Sequence, residues 1–248
     1  MAEDGVGLGV ILAVAFLPPL FYLIRIRNAE RFSRNPMPVM LFVFAWGAIV
    51  AIILAFILED ALHLPLDTFR PSRVPSQLWM AVILAPLVEE PVKVAGLFLL
   101  RKKRLAEEED GLVYGAAAGL GFAATENLAY ELAALAAYGT TGWLVTSVLR
   151  TLTSTLLHAS SSAMAGWGVA KARRNNEGVS AFLRLLLIAM LMHGLFNFFA
   201  SMTLLATEDY SAALLSLLLV FIFASFVYRF TRAKIRELDR QSAHPRVG

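Results

Sequence analysis

Seven apolar stretches alternate with short polar segments along the chain, at roughly 5–26, 37–58, 77–100, 111–138, 142–170, 179–206 and 210–231. A helix of about 20 predominantly apolar residues crosses the hydrocarbon layer of a bilayer. The pattern therefore predicts an all-α polytopic membrane protein with about seven transmembrane helices, forming a single domain over 1–248. The longer stretches need tilt or project into the interface. Pro18-Pro19 predicts a kink in the first helix, and Gly47 in the second and Pro86 and Pro91 in the third are further bending points. Residues 59–76 mix Leu62, Leu64, Leu66 and Phe69 with Asp60, Asp67 and Arg70. They read as a connecting loop, with a short amphipathic piece on the membrane surface as the alternative.

The polar segments carry an orientation. Arg25, Arg27, Arg31 and Arg34 flank the first loop, Arg101, Lys102, Lys103 and Arg104 the third, and Lys171, Arg173 and Arg174 the fifth. The tail 232–248 with its approach adds Arg229, Arg232, Lys234, Arg236, Arg240 and Arg246. The other side has Arg70 and Arg73, and the turns Gly139–Thr141 and Thr207–Asp209 carry no basic residue. Excess Lys and Arg mark the cytoplasmic side, so the N-terminus is expected outside and the C-terminus in the cytoplasm.

Composition agrees with a membrane setting. The chain is 58% hydrophobic and 17% charged, against about 25% charged for an average soluble domain. The net charge of +3 is distributed over loops and tail, which fits anionic membrane lipid rather than nucleic acid. With no cysteine in the chain, a thiolate nucleophile and Cys-based metal sites are excluded.

One apolar stretch is interrupted where interruption costs most. Glu89, Glu90 and Lys93 fall near the centre of the third stretch, and each ionisable group at mid-membrane costs roughly 2.5–3.5 kcal/mol on insertion scales. Counting inward from the expected cytoplasmic ends, Glu89 is 12 residues from Arg101, Glu126 is 15 from Gly111, His158 is 13 from Lys171 and His193 is 14 from Val179. At 1.5 Å per residue, all four lie about 18–23 Å from the inner boundary. Helices 3 to 6 thus deliver ionisable side chains to one layer, which predicts a buried polar site between them over the catalytic helices 77–206. Supporting patterns accompany each helix. Gly111, Gly115 and Gly119 allow close helix approach, Thr151, Ser154, Thr155, His158, Ser161 and Ser162 form a polar stripe, and His193, Asn197 and Ser201 form another. Glu89 and Lys93 are an i, i+4 pair while Glu90 is rotated by about 100°. One carboxylate is therefore expected to pair with Lys93 and the other to face water, in either order.

Without cysteine, or aspartate in the core of any span, the chemistry left is water activated by glutamate. Asn127 stands beside Glu126 as support, and His193 and Asn197, one turn apart, suit an oxyanion. No metal is required by this scheme, although zinc is the alternative: Glu126, His158 and His193 would make a His2Glu set, with Glu89 or Glu90 as base. Two further readings use the same residues, a proton-coupled transporter and an inactive scaffold binding a partner's spanning helix.

In chain order, Glu89-Glu90-x-x-Lys93, Phe122-x-x-x-Glu126-Asn127, His158 and His193-Gly194-x-x-Asn197 resemble the PrsW family of intramembrane proteases. That family shares a superfamily with the CAAX prenyl proteases, whose EExxxR, FxxxH and HxxxN motifs have a similar plan. Lys93 stands one position earlier than the arginine of that plan, and Glu126 stands in place of its histidine, which argues against prenylated substrates. The resemblance implies that Glu89 and Glu90 supply the base, that Glu126 and His158 assist, and that His193 and Asn197 stabilise the oxyanion. It also implies cleavage of single-span regulators such as anti-sigma factors in a prokaryotic cell membrane.

Overall fold

The computed structural model describes residues 6–174, 178–202 and 210–243. The turn Thr207–Asp209, Arg246 and the last residues of the basic tail lie outside this set. Apart from a single 3-10 turn at Lys102–Arg104, the described residues form seven successive helical stretches: α1 (Leu8–Arg27), α2 (Met37–Asp67), α3 (76–99), α4 (Glu108–Leu152), α5 (Ser154–Arg174), α6 (Gly178–Ala200) and α7 (Tyr210–Ala243). No strand occurs among the described residues. Among the described residues, five stretches suffice by length and composition to cross a membrane: α1, α2, the run Glu108–Arg174, α6 and α7. Large apolar side chains such as Leu17, Phe21, Ile53, Leu187, Leu191 and Phe226 stand exposed on their outer faces, a surface suited to lipid and not to water.

The run Glu108–Arg174 is not a single rod. Its 67 residues would extend about 100 Å as a straight helix. Gly139, at φ 66° and ψ −163°, breaks the helical path instead, and φ in this range is open to glycine without strain. The chain doubles back: Gly111 lies against Gly166, Gly115 against Ser162 and Gly119 against His158. A Cβ at any of these three glycines would overlap a carbonyl oxygen of α5, so the spacing seen in sequence is a backbone contact between antiparallel helices. On the opposite side Gly121 meets the carbonyl of Phe44 and Gly47 meets that of Ala118. The first half of α4 is consequently enclosed on several sides, and residues 109–124 are all buried.

α2 and α3 are irregular for identifiable reasons. A π-helical turn at Trp46–Ala51 contains Gly47, and another at Met80–Leu84 precedes Pro86. α1 runs as one helix through Pro18 and Pro19. The segment expected as a connecting loop after residue 58 is helical as far as Asp67, because Leu62 and Leu66 pack against the cluster of Ala51, Ile52, Leu84, Val88 and Phe122. The reversal that follows is held by Arg70 Nε donating to Asp67 Oδ1 at 2.6 Å.

On the face expected to be cytoplasmic, α7 continues well past its apolar part to Ala243. Asp239 accepts hydrogen bonds from the backbone N–H groups of Arg31 (2.7 Å) and Ser33 (3.2 Å), tying this extension to the loop after α1. In the same loop the buried Glu30 accepts from Asn35 N–H (2.8 Å) and Nδ2 (2.7 Å), and Asn35 Nδ2 also donates to Asp110 at 2.8 Å. Burial raises the Glu30 pKa to about 7, reinforced by the neighbouring Asp110 and Asp239 and partly opposed by the Asn35 donors.

Candidate active site

The polar groups of α3 are organised by Lys93. Its side chain reaches back one turn, placing Nζ 2.8 Å from Glu89 Oε2 and 2.9 Å from Glu90 Oε1. The expectation that only one carboxylate would pair with Lys93 is corrected by this geometry: positions i−4 and i−3 both lie within reach of one flexible ammonium. The third partner comes from another helix, His158 Nδ1 at 2.9 Å. The Phe122 ring closes the remaining side, 4.2 Å from Nζ to its centroid.

The two carboxylates nevertheless differ in surroundings. Glu90 is fully buried and accepts hydrogen bonds from Ser161 Oγ and Ser162 Oγ, both at 3.1 Å, while its Oε1 lies 2.9 Å from His193 Nδ1. Glu89 lines a cavity of about 1010 Å³ bounded by α2, α3, both arms of α4, α5 and α6.

Proton positions follow from the partners, because an ammonium only donates and a carboxylate only accepts. His158 Nδ1 accepts a hydrogen bond from the Lys93 ammonium, so its Nε2–H donates to Glu126 Oε2 at 2.8 Å. His193 Nδ1–H donates to Glu90, which leaves Nε2 of the neutral ring as a lone pair. The two imidazoles meet edge to face with centroids 4.9 Å apart.

Behind His158 the second arm of α4 supplies Arg150. Its Nη2 is 2.6 Å from Glu126 Oε2 and its Nε donates to Asn127 Oδ1 at 2.7 Å, while Asn127 Nδ2 donates to Thr155 Oγ1 at 2.9 Å. Arg150 also stacks over Tyr130, 3.9 Å from the ring centroid. Its partnership with Glu126 arises only because the chain reverses at Gly139.

Asn197 is placed by a defect in α3. In the π turn, the N–H of Ala85 bonds to Met80 O, and the next carbonyl, that of Ala81, would need the N–H of residue 86. Pro86 has none. Asn197 Nδ2 donates to Ala81 O at 2.7 Å instead, and the side chain lines the cavity. Gly194 makes room for this contact, because a Cβ there would sit 2.7 Å from Val82 O.

A metal would find a different set from the one expected. Glu89, His158 and His193 offer ligand atoms within 4.8 Å of one another. Glu126 is drawn away by Arg150 and lies on the Nε2 side of His158. Nitrogen and carboxylate oxygen donors of this kind suit zinc.

The described geometry therefore joins Glu89, Glu90, Lys93, His158 and His193 in one cluster, with Glu126 and Asn127 bound to its rear through Arg150 and Asn197 on the cavity wall. A family model described as PrsW family intramembrane metalloprotease matches residues 35–227. The chain belongs to the PrsW family. The match takes in every one of these residues. Two PrsW relatives are similar over most of their length: Protease PrsW of Clostridioides difficile (strain 630) is 28% identical over 196 residues, covering 76% of this chain and 78% of the relative. Protease PrsW of Shouchella clausii (strain KSM-K16) is 28% identical over 195 residues, covering 77% and 83%. No solved structure matches. Membership in the PrsW family, together with the apolar helices, supports an intramembrane protease.

Proposed function

We propose that this protein is an integral membrane endopeptidase of the prokaryotic cell membrane, with seven spanning segments, an external N-terminus and a cytoplasmic C-terminus. Its substrates are single-span membrane proteins of the anti-sigma-factor kind, cleaved by water that Glu89 activates. The assignment of the base is carried by one observation: Glu89 lines the cavity, whereas the oxygens of Glu90 are enclosed by Lys93, Ser161, Ser162 and His193. The seven segments count α3 and the two arms of the Glu108–Arg174 hairpin separately.

In the reaction, a water in the cavity gives one proton to the Glu89 carboxylate while its oxygen bonds to the scissile carbonyl carbon. The C–N bond then breaks as Glu89 returns that proton to the departing nitrogen. The products are a carboxyl group and an amine. Negative charge developing on the carbonyl oxygen needs donors already in place. Asn197 has one amide hydrogen beyond that given to Ala81 O, and Lys93 holds a full positive charge beside Glu89. The neutral form of His193 has no proton on Nε2, so its part is to hold Glu90 in position and not to donate to the oxyanion. Arg150, Glu126 and Asn127 fix the far edge of His158, and His158 fixes Lys93.

A metal-assisted version has one observation in its favour, the proximity of Glu89, His158 and His193. Those three residues would hold zinc, which would lower the pKa of bound water and polarise the carbonyl. Lys93 Nζ bonds Glu89 Oε2 and His158 Nδ1, two members of that set.

The test compares purified wild type with Glu89→Gln and Glu90→Gln on a tagged single-span substrate. Loss of cleavage by a factor of a thousand or more in Glu89→Gln, in a protein that retains its unfolding temperature, is expected. Undiminished cleavage by Glu89→Gln would remove it as the base.

A further inference from the structure

Three carboxylates line the cavity, and two are neutralised by the protein itself: Glu89 by Lys93, and Glu126 by Arg150. Glu59 of α2 is different. Among the described residues no hydrogen bond or ion pair reaches it, and its Oε1 is buried without a partner. Ile52, Ala55, Phe56, Glu59 and His63 form the stripe that α2 turns toward the cavity, at the helical spacing of three and four. Counting Glu90 behind the wall, four carboxylates are set against two fixed cations, Lys93 and Arg150, and both cations are already ion-paired. Glu59 is thus left without a cation of its own in an apolar surround, where a cationic side chain would give its carboxylate the partner that the protein does not.

The height of Glu59 above the proposed chemistry follows from how α2 and α3 pack. Trp46 Nε1 donates to Val92 O at 3.0 Å, and Ile52 packs in one cluster with Leu84 and Val88. The base of the same Trp46 side chain lies against Gly96, so this antiparallel packing sets Glu59 level with about residues 79–83, roughly six to ten residues or 9–15 Å above Glu89 toward the outer face. An extended peptide rises about 3.3 Å per residue, so that distance corresponds to roughly three to five residues.

We propose that Glu59 is a specificity subsite that accepts a lysine or arginine side chain of the substrate, about three to five residues from the scissile bond on its extracytoplasmic side. The proposal rests on the proteolytic reading and the topology given above. It supplies discrimination as well as affinity, since basic residues are uncommon on the outer flank of spanning helices, and a substrate without one leaves Glu59 uncompensated in the cavity.

The test uses the full chain in lipid nanodiscs with single-span substrates carrying one lysine at each of the first eight positions outward from the cleaved bond, and glutamine or glutamate at the same positions. Wild type is expected to cleave the lysine substrate with a kcat/KM about tenfold or more above glutamine at positions three to six, and to cleave the glutamate substrate more slowly than glutamine. Glu59→Gln is expected to abolish the difference, and Glu59→Lys to transfer the preference to glutamate. The same substrates are also bound to the Glu89→Gln variant, which reads recognition without chemistry. No charge preference in either assay overturns the proposal, as does a preference that survives Glu59→Gln. A positional preference in binding with no cleavage by wild type supports the subsite and overturns the proteolytic reading. Should the Glu59 variants fail to fold, the wild-type positional series decides.

Discussion

The ammonium of Lys93 and Nδ1 of His158, 65 residues apart in the chain, lie 2.9 Å apart. The contact assigns the histidine's protons and joins the carboxylates of α3 to the Glu126–Arg150 pair behind them. Replacing Lys93 by Met would leave Glu90 buried with one cation fewer, a change that typically costs about 3–5 kcal/mol. A strongly lowered unfolding temperature, together with lost proteolysis, is expected. A Lys93→Met protein as stable as wild type would show that the ammonium is not what holds Glu90.

Arg150 and Glu126 should behave as a unit. Arg150→Met and Glu126→Gln are each expected to destabilise the protein, and the double substitution to cost less than the two added together. A coupling of about 1–3 kcal/mol in a double-mutant cycle of unfolding in mild detergent is the anticipated size. Strict additivity would count against the pair.

The glycine face of α4 offers a packing test remote from the chemistry. Gly115→Ala puts a methyl group into the Ser162 carbonyl, whereas at Gly9 a Cβ meets nothing within 4 Å. The first substitution should lower the unfolding temperature, by an amount on the scale of the 1–3 kcal/mol expected for overpacking, and the second should leave it unchanged. Equal stability of the two variants would contradict the backbone contact between α4 and α5.

Metal dependence is open to direct measurement. If Glu89, His158 and His193 hold zinc, untagged protein should contain near-stoichiometric metal, and His193→Ala should lower that content. Absence of metal from active protein, with cleavage that persists in chelators, would favour the scheme in which Glu89 acts on water alone.

Stability should depend on pH through Glu30. Its pKa in the folded protein is about 7 against an ordinary 4.5, so between these values the folded state binds the proton that the unfolded state has released. Stability is therefore greatest below about pH 4.5 with respect to this group, and declines toward pH 7, by up to about 3 kcal/mol. Glu30→Gln should flatten that part of the profile. A slope unchanged by the substitution would assign it to other groups, Asp110 among them.

How much of this was legible in sequence can be judged residue by residue. The apolar runs showed a helical membrane protein because hydrocarbon demands length and internally satisfied backbones. The depth of Glu89, Glu126, His158 and His193 was readable because helical rise is constant. The Gly111-Gly115-Gly119 ladder pointed to a close helix contact, since glycine at that spacing lets a neighbouring backbone approach, and the carbonyls of α5 do so. The helical extent of 59–67 was missed because Leu62 and Leu66 acquire their partners only from α3 and α4.

The sequence by itself determined which chemistry was available, by supplying no cysteine and placing glutamate and histidine in apolar runs, where ionisable groups are costly without partners. Tertiary structure alone decided the pairing. Lys93 reaches both carboxylates, Arg150 meets Glu126 through the reversal at Gly139, Asn197 answers the carbonyl orphaned by Pro86, and Glu89 rather than Glu126 stands with the two histidines. Hydrogen bonds and ion pairs depend on distances of a few ångströms between different helices, and helical periodicity fixes direction and depth along one helix but not its neighbours.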